Sequence, residues 1–139
     1  MSVGLVVDCS MTMAWCFGDE STPAVLQVQD HVANEKMCVP VHWYLEVTNV
    51  LALAEKKHRI KPQASDTFLS LLQVKDIHVD FELPSKAFAQ ILALCRKHHL
   101  TSYDAAYLEL ALRRKLPLAT LDDDLRKVAK KLGVVLLGK

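Results

Sequence analysis

The chain has 139 residues, of which 51% are hydrophobic and 24% charged, and its formal net charge is +1. This length predicts one domain, residues 1–139, that buries roughly two-thirds of its unfolded surface. The near-neutral charge excludes a whole-protein attraction to nucleic acid or anionic membranes, so any surface that binds a polyanion must be local.

Targeting and redox signals indicate a protein of the reducing cytoplasm. No apolar stretch approaches the roughly 18 residues that a membrane span needs. Asp8 interrupts the N-terminal apolar run, which argues against a signal peptide. The cysteines have no C-x-x-C spacing and predict buried free thiols rather than a disulfide or a zinc site; they are Cys9, Cys16, Cys38 and Cys95.

The first predicted strand covers residues 3–8, and Leu5-Val6-Val7 is a continuous apolar run within it. Such a run is typical of a strand covered on both faces, as in the middle of a parallel sheet. Asp8 follows at the carboxyl end, where open α/β sheets bind their ligands. The alternative is that Asp8 is a turn residue and Ser10 the N-cap of the next helix.

The next elements are a helix over residues 24–34, a strand over 36–39 that ends at Pro40, and a helix over 41–59. Thr22 or Ser21 can cap the first of these helices. In the last one, helical spacing places Glu46 inside the apolar arc. A buried carboxylate needs a partner, and Asn49 lies beside it at i+3. Alternatively, Glu46 reaches solvent or pairs with a lysine or histidine.

The middle of the chain predicts a helix over 62–74, a short or edge strand over 77–81, and a helix over 84–99 with a basic tail. This last helix is apolar at five positions, which are Ala87, Phe88, Ile91, Leu92 and Cys95.

The segment 100–111 predicts a helix, and Glu109 and Arg113 mark its solvent-facing side. Asp104 lies nearly opposite them and therefore points toward the core. Thr101-x-x-Asp104 also resembles a capping box with Asp in place of Glu, and a cap and a ligand role are compatible.

Near the C-terminus, residues 117–120 predict a strand, and Asp122 follows its end as Asp8 follows the first. The alternative is that Asp122 caps the helix predicted over 125–132. Gly133 ends that helix, and residues 134–137 predict a last buried strand.

The alternation of strands and helices predicts an α/β protein with three α/β/α layers around a central, mainly parallel twisted sheet of about four to five strands. Right-handed crossovers place the carboxyl ends of all strands at one edge, where the four acids Asp8, Glu46, Asp104 and Asp122 can meet. Two carboxylates 5 Å apart repel by about 3 kcal/mol at a dielectric near 20, so the cluster requires protonation or a cation. Oxygen ligands favour Mg²⁺ or Mn²⁺, and a metal-bound water can attack a phosphodiester.

Four motifs in sequence order resemble the PIN-domain ribonucleases, in particular the VapC-type toxins of toxin–antitoxin pairs. They are Val6-Val7-Asp8-Cys9-Ser10, Glu46-x-x-Asn49, Thr101-x-Tyr103-Asp104-Ala105-x-Tyr107 and Ala119-Thr120-x-Asp122-x-x-Leu125. The resemblance covers essentially the whole chain. Cys9 stands where the family more often has Ala or Thr.

The resemblance implies that Asp8, Glu46, Asp104 and Asp122 ligate Mg²⁺ or Mn²⁺, directly or through water. Asp124 is the reserve candidate for the fourth ligand, in place of Asp122. The resemblance further implies endonucleolytic cleavage of RNA, a homodimer, and a cognate antitoxin that occupies the acidic groove. By position, Ser10, Asn49 and Thr120 would be polar helper residues that orient the acids, waters or phosphate.

Two other functions remain open from sequence. A non-catalytic interaction or dimerisation domain can use the same fold. A Mg²⁺-dependent phosphoacceptor or phosphohydrolase also places an aspartate at a strand end. The haloacid-dehalogenase pattern needs a second acid two residues later, where this chain has Ser10.

Overall fold

The computed structural model describes residues 4–139 and contains a sheet of five parallel strands in the order β3-β2-β1-β4-β5. Helices cover both faces, which confirms the α/β/α prediction. The strands are β1 (Leu5–Val7), β2 (Met37–Pro40), β3 (Ile77–Asp80), β4 (Leu118–Ala119) and β5 (Leu136–Leu137).

Eight α-helices connect and flank these strands within residues 4–139. They are α1 (Cys9–Cys16), α2 (Pro23–Val32), α3 (Trp43–Lys56), α4 (Pro62–Gln73), α5 (Leu83–Lys86), α6 (Leu92–His98), α7 (Ser102–Arg114) and α8 (Asp123–Lys131). None of the helices in this described part is long and apolar enough to span a bilayer.

The centre of the sheet is fully apolar. Leu5, Val6 and Val7 have no solvent exposure, as the continuous apolar run predicted. The prediction of a buried last strand was wrong, because β5 pairs only with β4 at the edge and is half-buried, and Val135 beside it is 63% exposed. The edge position of β3 is confirmed.

Polar side chains begin the helices that matter for the site. The Asp8 carboxylate accepts from the Met11 N–H and caps α1, so Asp8 rather than Ser10 is the N-cap. Thr22 caps α2, as predicted, and Thr101 caps α7. Asp122 caps α8 by accepting from the Leu125 N–H. Each cap satisfies a backbone donor that the helix leaves unpaired.

The helix predicted over residues 84–99 differs from the prediction in shape. A π-helical turn over Ala87–Ile91 separates α5 from α6. Of its five apolar positions, only Ile91 is buried, and Phe88 is 92% exposed. Periodicity alone cannot distinguish an apolar face that packs on the core from one that remains on the surface.

The prediction that Glu109 and Arg113 mark the solvent-facing side of α7 was wrong. Glu109 is 7% exposed and accepts from Arg113 Nε at 2.9 Å, while Arg113 Nη2 donates to Asp80 Oδ2 at 2.6 Å. The hydrogen bond to Glu109 is the main cause that raises the Arg113 pKa. Arg114 Nη2 also lies 3.8 Å from Asp80 Oδ1, so two arginines offset the two carboxylates at the end of β3, which can therefore be buried.

Candidate active site

The Asp8 carboxylate lies at the carboxyl end of β1 and is 3% exposed. Its Oδ1 accepts from Ser10 Oγ at 2.7 Å and from the Met11 N–H at 2.9 Å. Its Oδ2 accepts from Thr120 Oγ1. Donors from two parts of the chain therefore fix the orientation of this buried acid, because each oxygen has its own hydrogen-bond partner.

The hydroxyls of Ser10 and Thr120 also join the ends of β1 and β4. The Asp122 N–H donates to Thr120 Oγ1 at 3.0 Å, and the Leu121 N–H donates to Ser10 Oγ at 2.9 Å. Thr120 thus connects the backbone of Asp122 to the side chain of Asp8. The pairing of two adjacent parallel strands brings these distant residues to one edge of the sheet.

Glu46 reaches the same region from α3, where its side chain is 29% exposed. Its Oε1 accepts from the Tyr107 hydroxyl at 2.6 Å and lies 3.3 Å from His42 Nε2. His42 Nε2 is also 3.2 Å from the Tyr103 carbonyl oxygen, so two acceptors face this nitrogen and it carries the ring proton. Burial lowers the His42 pKa, which keeps the ring neutral near pH 7.

Tyr107 is a donor that the sequence did not identify as part of the site. It is 1% exposed, and burial followed by the Glu46 charge raises its pKa, so its hydroxyl stays protonated. It lies one helical turn after Asp104 on α7. This i, i+3 spacing places both side chains on one helix face and was the available signal.

Asp104 is half-buried in the first turn of α7. The Thr101 hydroxyl accepts from its backbone N–H at 3.2 Å, so the cap of this helix is Thr101. Within residues 4–139, its carboxylate forms no side-chain hydrogen bond and no salt bridge. Asp104 therefore offers both carboxylate oxygens to a ligand.

Burial and like charge act together on these acids. Burial, followed by the surrounding negative charges, raises the pKa of Asp104 to about 6; the charges belong to Asp122, Asp8, Glu46 and Asp124. Burial also raises the pKa of Asp8 to about 6 against the effect of its hydrogen bonds, and the Glu46 charge adds to it. The four predicted acids therefore share one electrostatic field.

The absence of a lysine or arginine partner among the described residues distinguishes this cluster. Elsewhere in the described structure, Asp19 and Glu20 pair with Arg59, Asp80 and Glu109 pair with Arg113, and Asp123 pairs with Lys139. Within residues 4–139, neither a lysine nor an arginine forms a salt bridge with Asp8, Glu46, Asp104 or Asp122. The site retains negative charge that the chain neutralises at its other acid clusters.

Two of the expected contributors lie further out. Asn49 is exposed on α3 and forms no hydrogen bond with the four acids, so no contact supports its predicted helper role. The reserve Asp124 is also exposed, although its charge reaches Asp104. Burial, followed by the charges of Glu46 and Asp8, raises the pKa of the Cys9 thiol to about 12, which makes it a poor nucleophile.

The donor chemistry of this site fits a hard divalent cation. Carboxylate and hydroxyl oxygens surround it, and hard ions such as Mg²⁺ and Mn²⁺ prefer oxygen ligands. In the conformation of residues 4–139, no three Asp, Glu, His or Cys side chains form a ready metal-binding group.

Comparisons with known proteins place the chain by family and by fold. The family described as PIN domain matches residues 5–131. A search among proteins of curated function gives no significant match. The crystal structure of PAE2754 from Pyrobaculum aerophilum is similar, with a TM-score of 0.69 and 22% sequence identity over 96% of this chain and 83% of that one. At this identity the similarity concerns the fold alone.

We expect Asp104→Asn to stabilise the metal-free protein at pH 8 by about 2 kcal/mol. The rise in pKa from 3.8 to about 6 corresponds to about 3 kcal/mol at about 1.4 kcal/mol per pKa unit, and solvent screening of this half-buried group reduces it. The folded pKa of Asp104, about 6, lies above its ordinary value of 3.8, so ionisation costs stability as the pH rises from 4 to 6. Urea unfolding in EDTA measures the difference, which should vanish near pH 3. Asp66→Asn, at an exposed position on α4, is the control. An equal gain at pH 3 and pH 8 would contradict the charge explanation.

Proposed function

Because this chain belongs to the PIN domain family, whose members are usually nucleases, we propose that it is a Mg²⁺- or Mn²⁺-dependent endoribonuclease. The observation that carries the proposal is that Asp8, Glu46, Asp104 and Asp122 act on one another electrostatically and, within residues 4–139, form no salt bridge with a lysine or arginine. Such a cluster stays ionised when it holds a cation, and a divalent cation in a carboxylate site supports phosphodiester hydrolysis.

The residues that would hold the ion are Asp8, Glu46, Asp104 and Asp122. When bound, a divalent ion supplies Lewis acidity toward the phosphoryl oxygen and makes a coordinated water more acidic. Ser10 and Thr120 keep the Asp8 carboxylate in one orientation through neutral donors. Neutral donors orient an acid without cancelling the charge that attracts the cation.

Tyr107 and His42 are the neutral donors that orient the Glu46 carboxylate. The Tyr107 hydroxyl donates to Oε1 and opposes the rise in the Glu46 pKa that burial causes. It therefore helps Glu46 to stay ionised near neutral pH. Asp104 has no such donor within residues 4–139, so it is the acid most available to a cation or to a proton.

Ser10 argues against the phosphohydrolase alternative. In that chemistry the side chain two residues after the first aspartate acts as an acid, whereas Ser10 Oγ donates to Asp8 and accepts from the Leu121 N–H. Its hydroxyl is thus used to position Asp8. The arrangement supports hydrolysis by water rather than phosphorylation of Asp8.

The cellular role that we propose is that of a cytoplasmic toxin in a type II toxin–antitoxin pair. The order and spacing of the four motifs support it. A cognate antitoxin would cover the acidic groove, where the unneutralised acids can accept a basic side chain. The chain would act as a homodimer, and an exposed apolar face supports self-association; Leu45, Phe88 and Tyr103 on this face are 74%, 92% and 60% exposed.

We expect Asp122→Asn to lower the rate of RNA cleavage roughly 100-fold, because it removes a charge from the site while asparagine still caps α8. Asp123→Asn is the matched control, since Asp123 is exposed and pairs with Lys139 at the surface. Gel analysis of RNA fragments with Mg²⁺ or Mn²⁺ measures the rates. Expression of the wild type should arrest growth, and expression of Asp122→Asn should not.

Equal loss of cleavage in both variants would contradict the assignment of Asp122. If the folded, partner-free wild type cuts no RNA with either ion, the catalytic proposal fails and the interaction-domain alternative replaces it.

For the homodimer, we expect the wild type to sediment as a dimer and Phe88→Glu to weaken association at least tenfold, because a charge on an apolar interface is costly. Val74→Glu is the control, since Val74 is 82% exposed at the end of α4 and away from the apolar face. A monomeric wild type, or equal effects of the two changes, would exclude this face as the dimer surface.

A further inference from the structure

A groove lined by basic side chains runs between the end of α6 and one face of α8. Its volume is about 420 Å³. Three lysines, two histidines and a single acid contribute to its lining; the charged and titratable residues are Lys97, His98, His99, Lys127, Lys131 and Asp124.

The face of α8 in the groove has an acidic end and a basic end. Asp124, Lys127 and Lys131 are spaced i, i+3 and i+7, so they lie on one side of the helix. At a rise of 1.5 Å per residue, Lys131 lies about 10 Å along the axis from Asp124. Asp124 lies in the first turn of α8, two residues after the cap Asp122, so the acidic end of the groove lies beside the candidate active site.

The opposite wall comes from the basic last turn of α6, which contains Arg96, Lys97 and His98. The chain leaves this helix at His99, whose φ of 57° is in the left-handed region. The cations of both walls are close enough to repel one another. After burial, the positive charges of Lys131, Lys97 and His99 lower the pKa of His98.

These lysines have no acidic partner to compensate them. Lys97, Lys127 and Lys131 are exposed, and within residues 4–139 none of them forms a salt bridge. Arg59, Arg113 and Lys139 all do. Uncompensated cations along a concave surface focus a positive potential, although the whole chain carries a formal charge of only +1.

We propose that this groove binds the phosphate backbone of a single RNA strand and leads it toward the acids, an inference that rests on the proposed nuclease function. Acids alone would repel a polyanion, and the neighbouring lysines offset that repulsion. Lys127 and Lys131 lie one turn apart on α8 and contact neighbouring phosphates. Lysine binds a phosphate as a point charge and does not contact the base edges, so these contacts are independent of base sequence.

The test measures binding separately from catalysis. Fluorescence anisotropy follows a labelled single-stranded oligouridine and an oligoadenosine, each titrated with the full chain in EDTA over a range of KCl. The test variant is Lys127→Gln/Lys131→Gln. The matched control is Lys56→Gln/Lys57→Gln, at the end of α3, which removes the same charge outside the groove.

We expect the test variant to bind both oligonucleotides roughly tenfold more weakly at 0.1 M KCl, with a salt slope lower by about 1.4, because each phosphate contact on a single strand contributes about 0.7. The control should lose less than twofold. Lys127→Arg/Lys131→Arg, which keeps the charge, should retain binding. Thermal unfolding confirms that each variant is folded.

Equal binding by the test variant and the wild type overturns the proposal, whatever the cleavage activity. If the wild type binds polyglutamate but neither oligonucleotide, the proposal is also overturned. The groove is then a binding site for an acidic protein. Intact, lysine-dependent binding by a protein that cuts no RNA refutes the nuclease function and leaves the groove as an RNA-binding surface.

Discussion

Burial of carboxylates at the carboxyl edge of the sheet, followed by their mutual repulsion, is the constraint on which the rest of this structure depends. Asp8 is 3% exposed, and the removal of its charge from water is the largest cost, to which the Glu46 charge adds. The apolar centre of the sheet supplies the stability that offsets it. The raised pKa values of Asp8 and Asp104, each about 6, express the same cost in protons.

Acids follow the ends of several strands in this fold, but the chain treats them differently. Asp80 ends β3 and is neutralised by Arg113, whereas Asp8 follows β1 and is held by Ser10 and Thr120. An arginine cancels the charge of an acid, while a hydroxyl only orients it. This difference separates a structural ion pair from a site that still needs a cation.

The sequence predicted the sheet and the position of Asp8 because both depend on local patterns: a buried apolar run and the acid that follows it. It could not predict the Glu46–Tyr107 contact, since the two residues are 61 positions apart and meet only through the fold. It also could not predict that Phe88 is exposed, because an apolar helical face has the same period whether it faces the core or the surface. The role of the four acids as metal ligands stays a prediction.

The most direct test is anomalous diffraction from crystals soaked in Mn²⁺. The account predicts one or more anomalous peaks within about 2.5 Å of carboxylate oxygens from at least two of Asp8, Glu46, Asp104 and Asp122. It also predicts that the peaks are lost in Asp104→Asn crystals. Peaks only elsewhere on the protein, with these acids unchanged, would contradict it.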